Sequence, residues 1–231
     1  MIGKRNTIEA VLPKFLVLLK DEQEPQVKQT AFKNVDLICE TLGIDTLSQS
    51  VMPVLEEMIA HANWRTRGEA ITVLTYLIRH SPLAFMTEKI NKTIVEFLKD
   101  RANSIRQEAI RLICTVVEHH GLPWSEKNLL AKWLPLFKSS TFLHRETALM
   151  ALESFAGCTS PEYISRSVLP SVLQLVKDPV ENVRIRVCIA LGVLCRSLPK
   201  EKDALRKALV GLRDDSDQDV KDMAVKVLSQ I

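Results

Sequence analysis

The stretch DPVENVRIRVCIALGVL, residues 178–194, combines a turn with most of an amphipathic helix. Its turn begins with Asp178 and is followed by the cation Arg184. Behind this arginine, Val187, Leu191 and Leu194 stand at positions i, i+4 and i+7. That spacing places the three side chains on one face of an α-helix. The stretch therefore predicts a turn followed by a helix with one buried face.

The same register recurs along the whole chain. Successive cations are 39 residues apart four times in a row, and the last step is 37 residues. The six positions are Lys28, Arg67, Arg106, Arg145, Arg184 and Lys221. The apolar columns behind them repeat with the same period. Self-similarity near 40 residues is typical of α-helical solenoids of the HEAT or armadillo type.

We therefore predict an all-α fold, an α-solenoid (superhelix) of about six HEAT repeats, each an antiparallel helix pair. The predicted units are about 1–45, 46–83, 84–122, 123–159, 160–198 and 199–231. No linker interrupts them, so residues 1–231 are expected to form a single array. Apolar residues on more than one side of the first helix indicate a C-terminal fragment of a longer solenoid, because terminal repeats normally carry polar faces.

The helix pairs follow from the apolar periodicity and from Gly and Pro at the helix ends. The predicted first helices are 11–20, 48–60, 85–99, 125–138, 161–177 and 200–213. The predicted second helices are 26–42, 66–80, 104–120, 143–156, 181–198 and 218–230.

Composition narrows the function classes. The net charge is only +3, from 31 basic and 28 acidic residues, which disfavours a nucleic-acid partner. No apolar run approaches the ~20 residues of a membrane span, so no membrane partner is expected. The five cysteines follow no disulfide or metal spacing and are interpreted as small buried hydrophobes, which suits a reducing, cytoplasmic or nuclear location.

The chain contains no recognisable catalytic arrangement. It has seven glycines, mostly at helix ends, and no phosphate-binding glycine loop or nucleophile-elbow motif. The neighbouring His119 and His120 lack further metal ligands of recurring position. We therefore expect a protein that is not an enzyme, with no catalytic residue, cofactor or metal.

Acidic residues precede the repeated cations by six positions in three units. The pairs are Asp100 and Arg106, Asp178 and Arg184, and Asp215 and Lys221; His61 and Ser139 take the acidic position before Arg67 and Arg145. We interpret the pattern as a structural charge ladder that holds successive turns in register. As exposed ion pairs, its members would each contribute only about 0–1 kcal/mol.

One column, three residues before the ladder cation, does not stay apolar. It contains Trp64, Asn103, Phe142 and Glu181. Since core columns conserve apolar character between repeats, Trp64 and Phe142 are predicted to be exposed on the turns, where an aromatic side chain would anchor a protein partner. Trp133, in contrast, shares a column with Leu55 and is predicted to lie in the core.

Several strings resemble, in order and over essentially the whole chain, the C-terminal part of the scaffolding (A) subunits of protein phosphatase 2A. They are GKRNTIE (3–9), LSQS (47–50), NWRTR (63–67), FLHR (142–145) and DPVENVR (178–184). The resemblance implies a HEAT scaffold whose turns bind the phosphatase catalytic subunit, whereas a regulatory subunit binds earlier repeats that this chain lacks. It implies contacts by Trp64, Arg65, Phe142, Leu143, His144 and Val180, and by Asn103, where an aromatic residue is typical of the family.

Two other classes fit parts of the pattern, and a divergent or paralogous scaffold fits it too. A tubulin-binding TOG-type HEAT array also uses a turn tryptophan with basic turn residues, but typically in its first unit, whereas Trp64 lies in the second. A HEAT-like DNA glycosylase would need a basic concave face, which the nearly balanced charge disfavours.

Overall fold

The computed structural model describes residues 3–21, 27, 30, 31 and 34–231. Within these residues all regular structure is helical and no β-strand occurs, so the predicted all-α class is confirmed. The chain forms two compact units, Met1–Thr87 and Glu88–Ile231. The predicted single array over residues 1–231 stays a prediction. Lys28, the first cation of the repeat, lies outside the described residues.

The first unit contains two helix pairs and an N-terminal helical segment. Its main helices are α1 (Leu12–Asp21), α2 (Val35–Leu42), α3 (Ile44–Ile59) and α4 (Trp64–His80). Gly43 separates α2 from α3 with φ of 82°, a left-handed conformation that glycine adopts without steric cost. Asn63 caps the N-terminus of α4, where its Oδ1 accepts a hydrogen bond from the Arg65 N–H at 3.0 Å. Helices α3 and α4 pack against each other as one repeat.

The second unit continues the pattern with helices that stack in order along the chain. Its main helices are α5 (Glu88–Phe97), α6 (Asn103–His120), α7 (Phe142–Phe155), α8 (Glu181–Ser197), α9 (Lys202–Leu212) and α10 (Gln218–Leu228). The second helix of each repeat packs on that of the next, so α6 contacts α7, α7 contacts α8 and α8 contacts α10. Residues 122–138 and 161–177 supply the first helices of the fourth and fifth repeats.

These two first helices were predicted as regular α-helices, but they are irregular. Wide π-turns, Glu126–Leu130 and Ile164–Val168, precede Pro135 and Pro170, and 3₁₀ turns end both segments. A similar wide turn, Thr7–Val11, precedes Pro13. Proline has no N–H to donate and its ring crowds the carbonyl four residues earlier, which favours a local change of helix pitch. Helix position was therefore predicted well, but not the local pitch.

The core consists of the predicted apolar columns. Ile113, Leu152 and Leu191 are fully buried on successive second helices. Trp133 is buried as predicted, and its ring meets those of Phe137 and Phe155 edge to face at 5.0 Å. Such packing of each repeat against its neighbour is what stabilises a repeat array. It leaves the turns before the second helices free to carry function.

Candidate interaction turns

The turn at the start of α4 presents an exposed tryptophan. Trp64 is the first residue of the helix and is 44% exposed. The Arg65 guanidinium carbon lies 5.1 Å from the centre of its indole ring, which is a cation–π geometry. Arg67 Nη1 donates to the carbonyls of His61 and Ala62, both at 2.9 Å. These bonds close the turn and hold the base of α4 in a fixed conformation.

A second exposed aromatic side chain occupies the corresponding place in the other unit. Phe142 begins α7 and is 37% exposed, while Leu143 and His144 are half-buried. His144 Nδ1 lies 2.9 Å from Ser139 Oγ. Burial, followed by the positive charges of Lys99 and Arg106, lowers the pKa of His144, so its imidazole is neutral at physiological pH. Phe142, Leu143 and His144 are therefore uncharged at the start of α7.

The remaining predicted contact residues differ in character. Asn103 is exposed, but its Oδ1 accepts a hydrogen bond from Arg106 Nη2 at 3.1 Å, so its amide is partly engaged within the turn. Val180 is half-buried and its N–H donates to Asp178 Oδ1 at 3.0 Å. A contact with a partner stays a prediction for all of these residues, as it does for Trp64 and Phe142.

The charge ladder has a different connectivity from the one that its sequence spacing suggested. Arg145 donates from Nε and Nη2 to the two carboxylate oxygens of Asp178, at 2.6 and 2.8 Å. Arg184 makes the same bidentate pair with Asp215, with both distances 2.8 Å. Each carboxylate thus pairs with the arginine of the preceding repeat. The arginine six positions after Asp178 bonds the backbone of Asp178 instead, because Arg184 Nη1 donates to its carbonyl at 2.7 Å.

The ladder pairs are also buried, so the expectation of weak exposed pairs is wrong for these two. Side-chain exposure is 10% for Arg145 and 3% for Asp178, and 12% for Arg184 and 9% for Asp215. Removing one partner of such a pair leaves an uncompensated buried charge. The hydrogen bonds from Arg184 lower the pKa of Asp215, and Asp215 in turn raises the pKa of Arg184. These turns are tied together by charge.

Two ladder cations lack a carboxylate partner among the described residues. Lys221 makes no ion pair there, so the predicted pairing with Asp215 does not occur. Arg106 is 5% exposed; its Nη1 donates to the carbonyls of Asp100 and Arg101, at 3.0 and 3.2 Å. The Arg106 Nε is buried without any hydrogen-bond partner.

The cysteines depart in part from the interpretation as buried hydrophobes. Cys188 and Cys195 are buried, whereas Cys39, Cys114 and Cys158 are half-buried. The Cys114 and Cys158 sulfur atoms lie 3.9 Å apart across neighbouring repeats, although the residues are 44 positions apart in sequence. The hydrogen bond between the two sulfur atoms lowers the pKa of the Cys158 thiol. Over the part of the chain that is described, no group of three His, Cys, Asp or Glu side chains could hold a metal ion.

Comparison with known proteins supports the helical repeat. The sequence model of HEAT repeats matches residues 130–231, somewhat less than half of the chain. The crystal structure of Cex1p aligns with a TM-score of 0.60 over 98% of this chain and 46% of its own, at 11% identity, a likeness of fold alone. The fold is an all-α solenoid of helix pairs, with HEAT repeats matched over residues 130–231.

Two curated relatives, both named as the regulatory A subunit of protein phosphatase PP2A, are similar over part of the chain. The Schizosaccharomyces pombe protein is 32% identical over 68 residues, 29% of this chain and 12% of its own length. The Saccharomyces cerevisiae protein is 30% identical over 125 residues, 50% of this chain and 20% of its own length. The matches thus span only a fifth or less of either relative.

Along the described helices, none is both long and apolar enough to cross a bilayer.

Proposed function

We propose that the chain is a non-catalytic scaffold that binds the catalytic subunit of a protein phosphatase 2A-type serine/threonine phosphatase through its intra-repeat turns. The observation that carries the proposal is the pair of exposed aromatic side chains, Trp64 and Phe142, each at the first position of the second helix of its repeat. The similarity to the two yeast regulatory A subunits supports the choice of partner.

The turn geometry suits a role in binding. An aromatic side chain on a fixed turn loses little conformational freedom when a partner covers it, so most of its apolar area contributes to affinity. Trp64 is such a side chain, because Arg67 closes its turn through two backbone carbonyls. Arg65, stacked beside the indole, would donate to a carboxylate or carbonyl of the partner.

The proposal assigns no chemistry to the chain itself. The partner would supply the active site. We expect this chain to bind a catalytic subunit, and to bind neither nucleic acid nor membranes.

The first test is the affinity of the purified chain for a purified phosphatase 2A-type catalytic subunit, measured by titration calorimetry with Trp64→Ala beside wild type. Loss of a buried aromatic anchor costs about 2–4 kcal/mol, so Kd should rise about 30- to 700-fold. Leu83→Ala is the matched control, because Leu83 is equally exposed at 43% but lies outside the turns before the second helices. Its affinity should equal that of wild type.

Phe142→Ala tests the other unit in the same assay, with Leu173→Ala as the control of similar exposure. Circular dichroism must show unchanged helix content in every variant. Equal affinity of Trp64→Ala, Phe142→Ala and wild type would keep the scaffold but reject these anchors. Absence of binding by the folded wild-type chain would reject the phosphatase partner, and co-sedimentation with tubulin would then test the TOG-type alternative.

A further inference from the structure

We call each arginine of the charge ladder, together with the residue that pairs with it in the next repeat, a rung. Two rungs are complete, Arg145 with Asp178 and Arg184 with Asp215. In both, the arginine Nε and Nη2 donate to the two oxygens of the aspartate in the next repeat, while Nη1 donates to a backbone carbonyl of its own turn. One oxygen of each aspartate also accepts from the N–H two residues later. For Asp178 the donor is Val180 at 3.0 Å, and for Asp215 it is Asp217 at 2.9 Å.

A third rung, that of Arg106, is incomplete because Ser139 occupies the position of the aspartate. Its Oγ accepts from the Thr141 N–H at 3.2 Å, the same bond that the aspartates accept from the second residue after them. The backbone of Ser139 also resembles that of Asp178, because its carbonyl accepts a hydrogen bond from the arginine six residues later, Arg145 Nη1, at 2.8 Å. The side chain thus supplies the oxygen that orders the turn and lacks the second oxygen that would reach the preceding arginine.

The preceding arginine is Arg106, and its hydrogen bonds show that a carboxylate partner is missing. Its Nη1 bonds backbone carbonyls of its own turn as in the complete rungs, but Nη2 donates to Asn103 and Nε is buried without a partner. Nε is the atom that donates to a carboxylate in both complete rungs. In the described part of the chain, no carboxylate lies within ion-pair distance of this guanidinium.

A histidine lies beside the Ser139 hydroxyl, with His144 Nδ1 at 2.9 Å from its oxygen. Burial, followed by the positive charges of Lys99 and Arg106, lowers the pKa of His144, while Glu96, which pairs with Lys99 at 2.7 Å, opposes this shift. The buried Arg106 guanidinium has an open donor. Since a serine stands where the next two repeats have the acid, the turn suits an oxyanion attached to that serine.

We propose that Ser139 is a phosphorylation site, and that its phosphate takes the place of the missing carboxylate and pairs with Arg106. A protein kinase would transfer the γ-phosphoryl group of a nucleoside triphosphate to Oγ. The bond between the γ-phosphorus and the bridging oxygen breaks, a bond between phosphorus and Oγ forms, the hydroxyl proton passes to the kinase, and the nucleoside diphosphate leaves. The inference does not depend on the identity of the protein partner.

The turn is accessible to such an enzyme. Ser139 is partly exposed and its backbone is extended, with φ of −63° and ψ of 143°. Its neighbours Lys138, Ser140 and Thr141 are exposed. Ser140 is a matched control because it is a serine of the same turn whose side chain has no place in the ladder. Phosphate on Ser140 would face solvent and pair with no buried arginine.

The test compares the full chain carrying genetically encoded phosphoserine at position 139 with the chain carrying it at position 140. Phosphorus NMR titration measures the second pKa of each phosphate, which is about 6 without perturbation. A contact with the guanidinium favours the dianion, so the pKa at position 139 should be lower by about 1. Equal values at the two positions would overturn the pairing.

A second pair of variants links the effect to Arg106. In Arg106→Gln the two phosphates should have the same second pKa, whereas Arg106→Lys, which keeps the charge, should retain part of the difference. Circular dichroism establishes whether each variant is folded. If Arg106→Gln does not fold, the comparison of Arg106→Lys with wild type tests the role of Arg106. An undiminished difference in both would show that Arg106 is not the partner of the phosphate.

The modification itself is tested on the protein recovered from its own cells under phosphatase inhibition. Trypsin cleaves after Lys138 and Arg145, so the peptide 139–145 carries all three candidate hydroxyl groups, and its fragment spectrum should place the phosphate on Ser139. The Ser139→Ala chain should yield only the unmodified peptide. Phosphate found on Ser140 or Thr141 alone, or on none of the three, would overturn the assignment.

Discussion

The rung formed by Arg145 and Asp178 and the rung position of Arg106 and Ser139 differ by one side chain on the same backbone. In both, arginine Nη1 bonds a backbone carbonyl of its own turn, at 2.8 and 3.0 Å. Only the first has a carboxylate for Nε. The comparison teaches that the carbonyl bond shapes the turn, whereas the carboxylate neutralises a buried charge and joins one repeat to the next.

Asp178→Asn should break the complete rung and produce the largest effect. It leaves Arg145 charged, buried and without its acid, which typically costs about 3–5 kcal/mol of unfolding free energy. Asparagine keeps the size of the side chain and the oxygen that accepts from Val180, so the turn itself is preserved. Urea unfolding followed by circular dichroism measures the loss, and Asp214→Asn, at an exposed neighbour of another rung, should change the free energy little.

A loss for Asp178→Asn no greater than that for Asp214→Asn would mean that the buried pair contributes geometry without net stability.

Ser139→Asp should sharpen the comparison by completing the second rung. The new carboxylate would accept from the unpaired Arg106 Nε, and removing a buried unsatisfied donor contributes about 1–3 kcal/mol to unfolding free energy. Urea unfolding measures the gain. Ser140→Asp is the control, since a charge at that exposed position has no arginine to meet.

If both variants are equally stable, the carboxylate does not reach Arg106, and the parallel between the two rung positions fails.

The smallest expected effect concerns pH and the rung of Arg184 and Asp215. The hydrogen bonds from Arg184 lower the pKa of Asp215 in the folded state. Stabilisation by this carboxylate is therefore fully present above the unfolded aspartate pKa of about 3.9 and is lost as pH falls through the lower folded value. The difference in unfolding free energy between wild type and Asp215→Asn should accordingly be largest near neutral pH and shrink below about pH 4.

Asp214→Asn again supplies the reference for general acid effects, and a pH-independent difference for Asp215→Asn would contradict the depressed pKa.

Much of the fold was readable from the sequence because each apolar column repeats six times. A single helix with Leu191 and Leu194 on one face would be ordinary, but the same face at a period near 40 residues indicates a repeat. The exposure of Trp64 and Phe142 followed from the same logic, since their column also contains polar residues.

The connectivity of the ladder was not readable in this way. Asp178 and Arg184 are six residues apart, which suggested a pair within one repeat, whereas the partner of Asp178 is Arg145, 33 residues earlier. The bond that the six-residue spacing reports runs from the Arg184 side chain to the Asp178 backbone carbonyl. A sequence pattern cannot distinguish a bond to the aspartate side chain from a bond to its backbone, because backbone carbonyls are present at every residue. The contact of Cys114 with Cys158 was missed since it depends on how two helices stack.

The complete and incomplete rungs also determine which interface of the second unit would unfold first. A repeat array behaves as a chain of units coupled only to their neighbours, so its cooperativity depends on each interface separately. The buried rungs of Asp178 and Asp215 strengthen the last two interfaces, and Ser139 leaves the one before them without a carboxylate. Partial unfolding would then begin at the turn of residues 139–141, and hydrogen exchange should show α7 and α8 opening together while α6 opens independently.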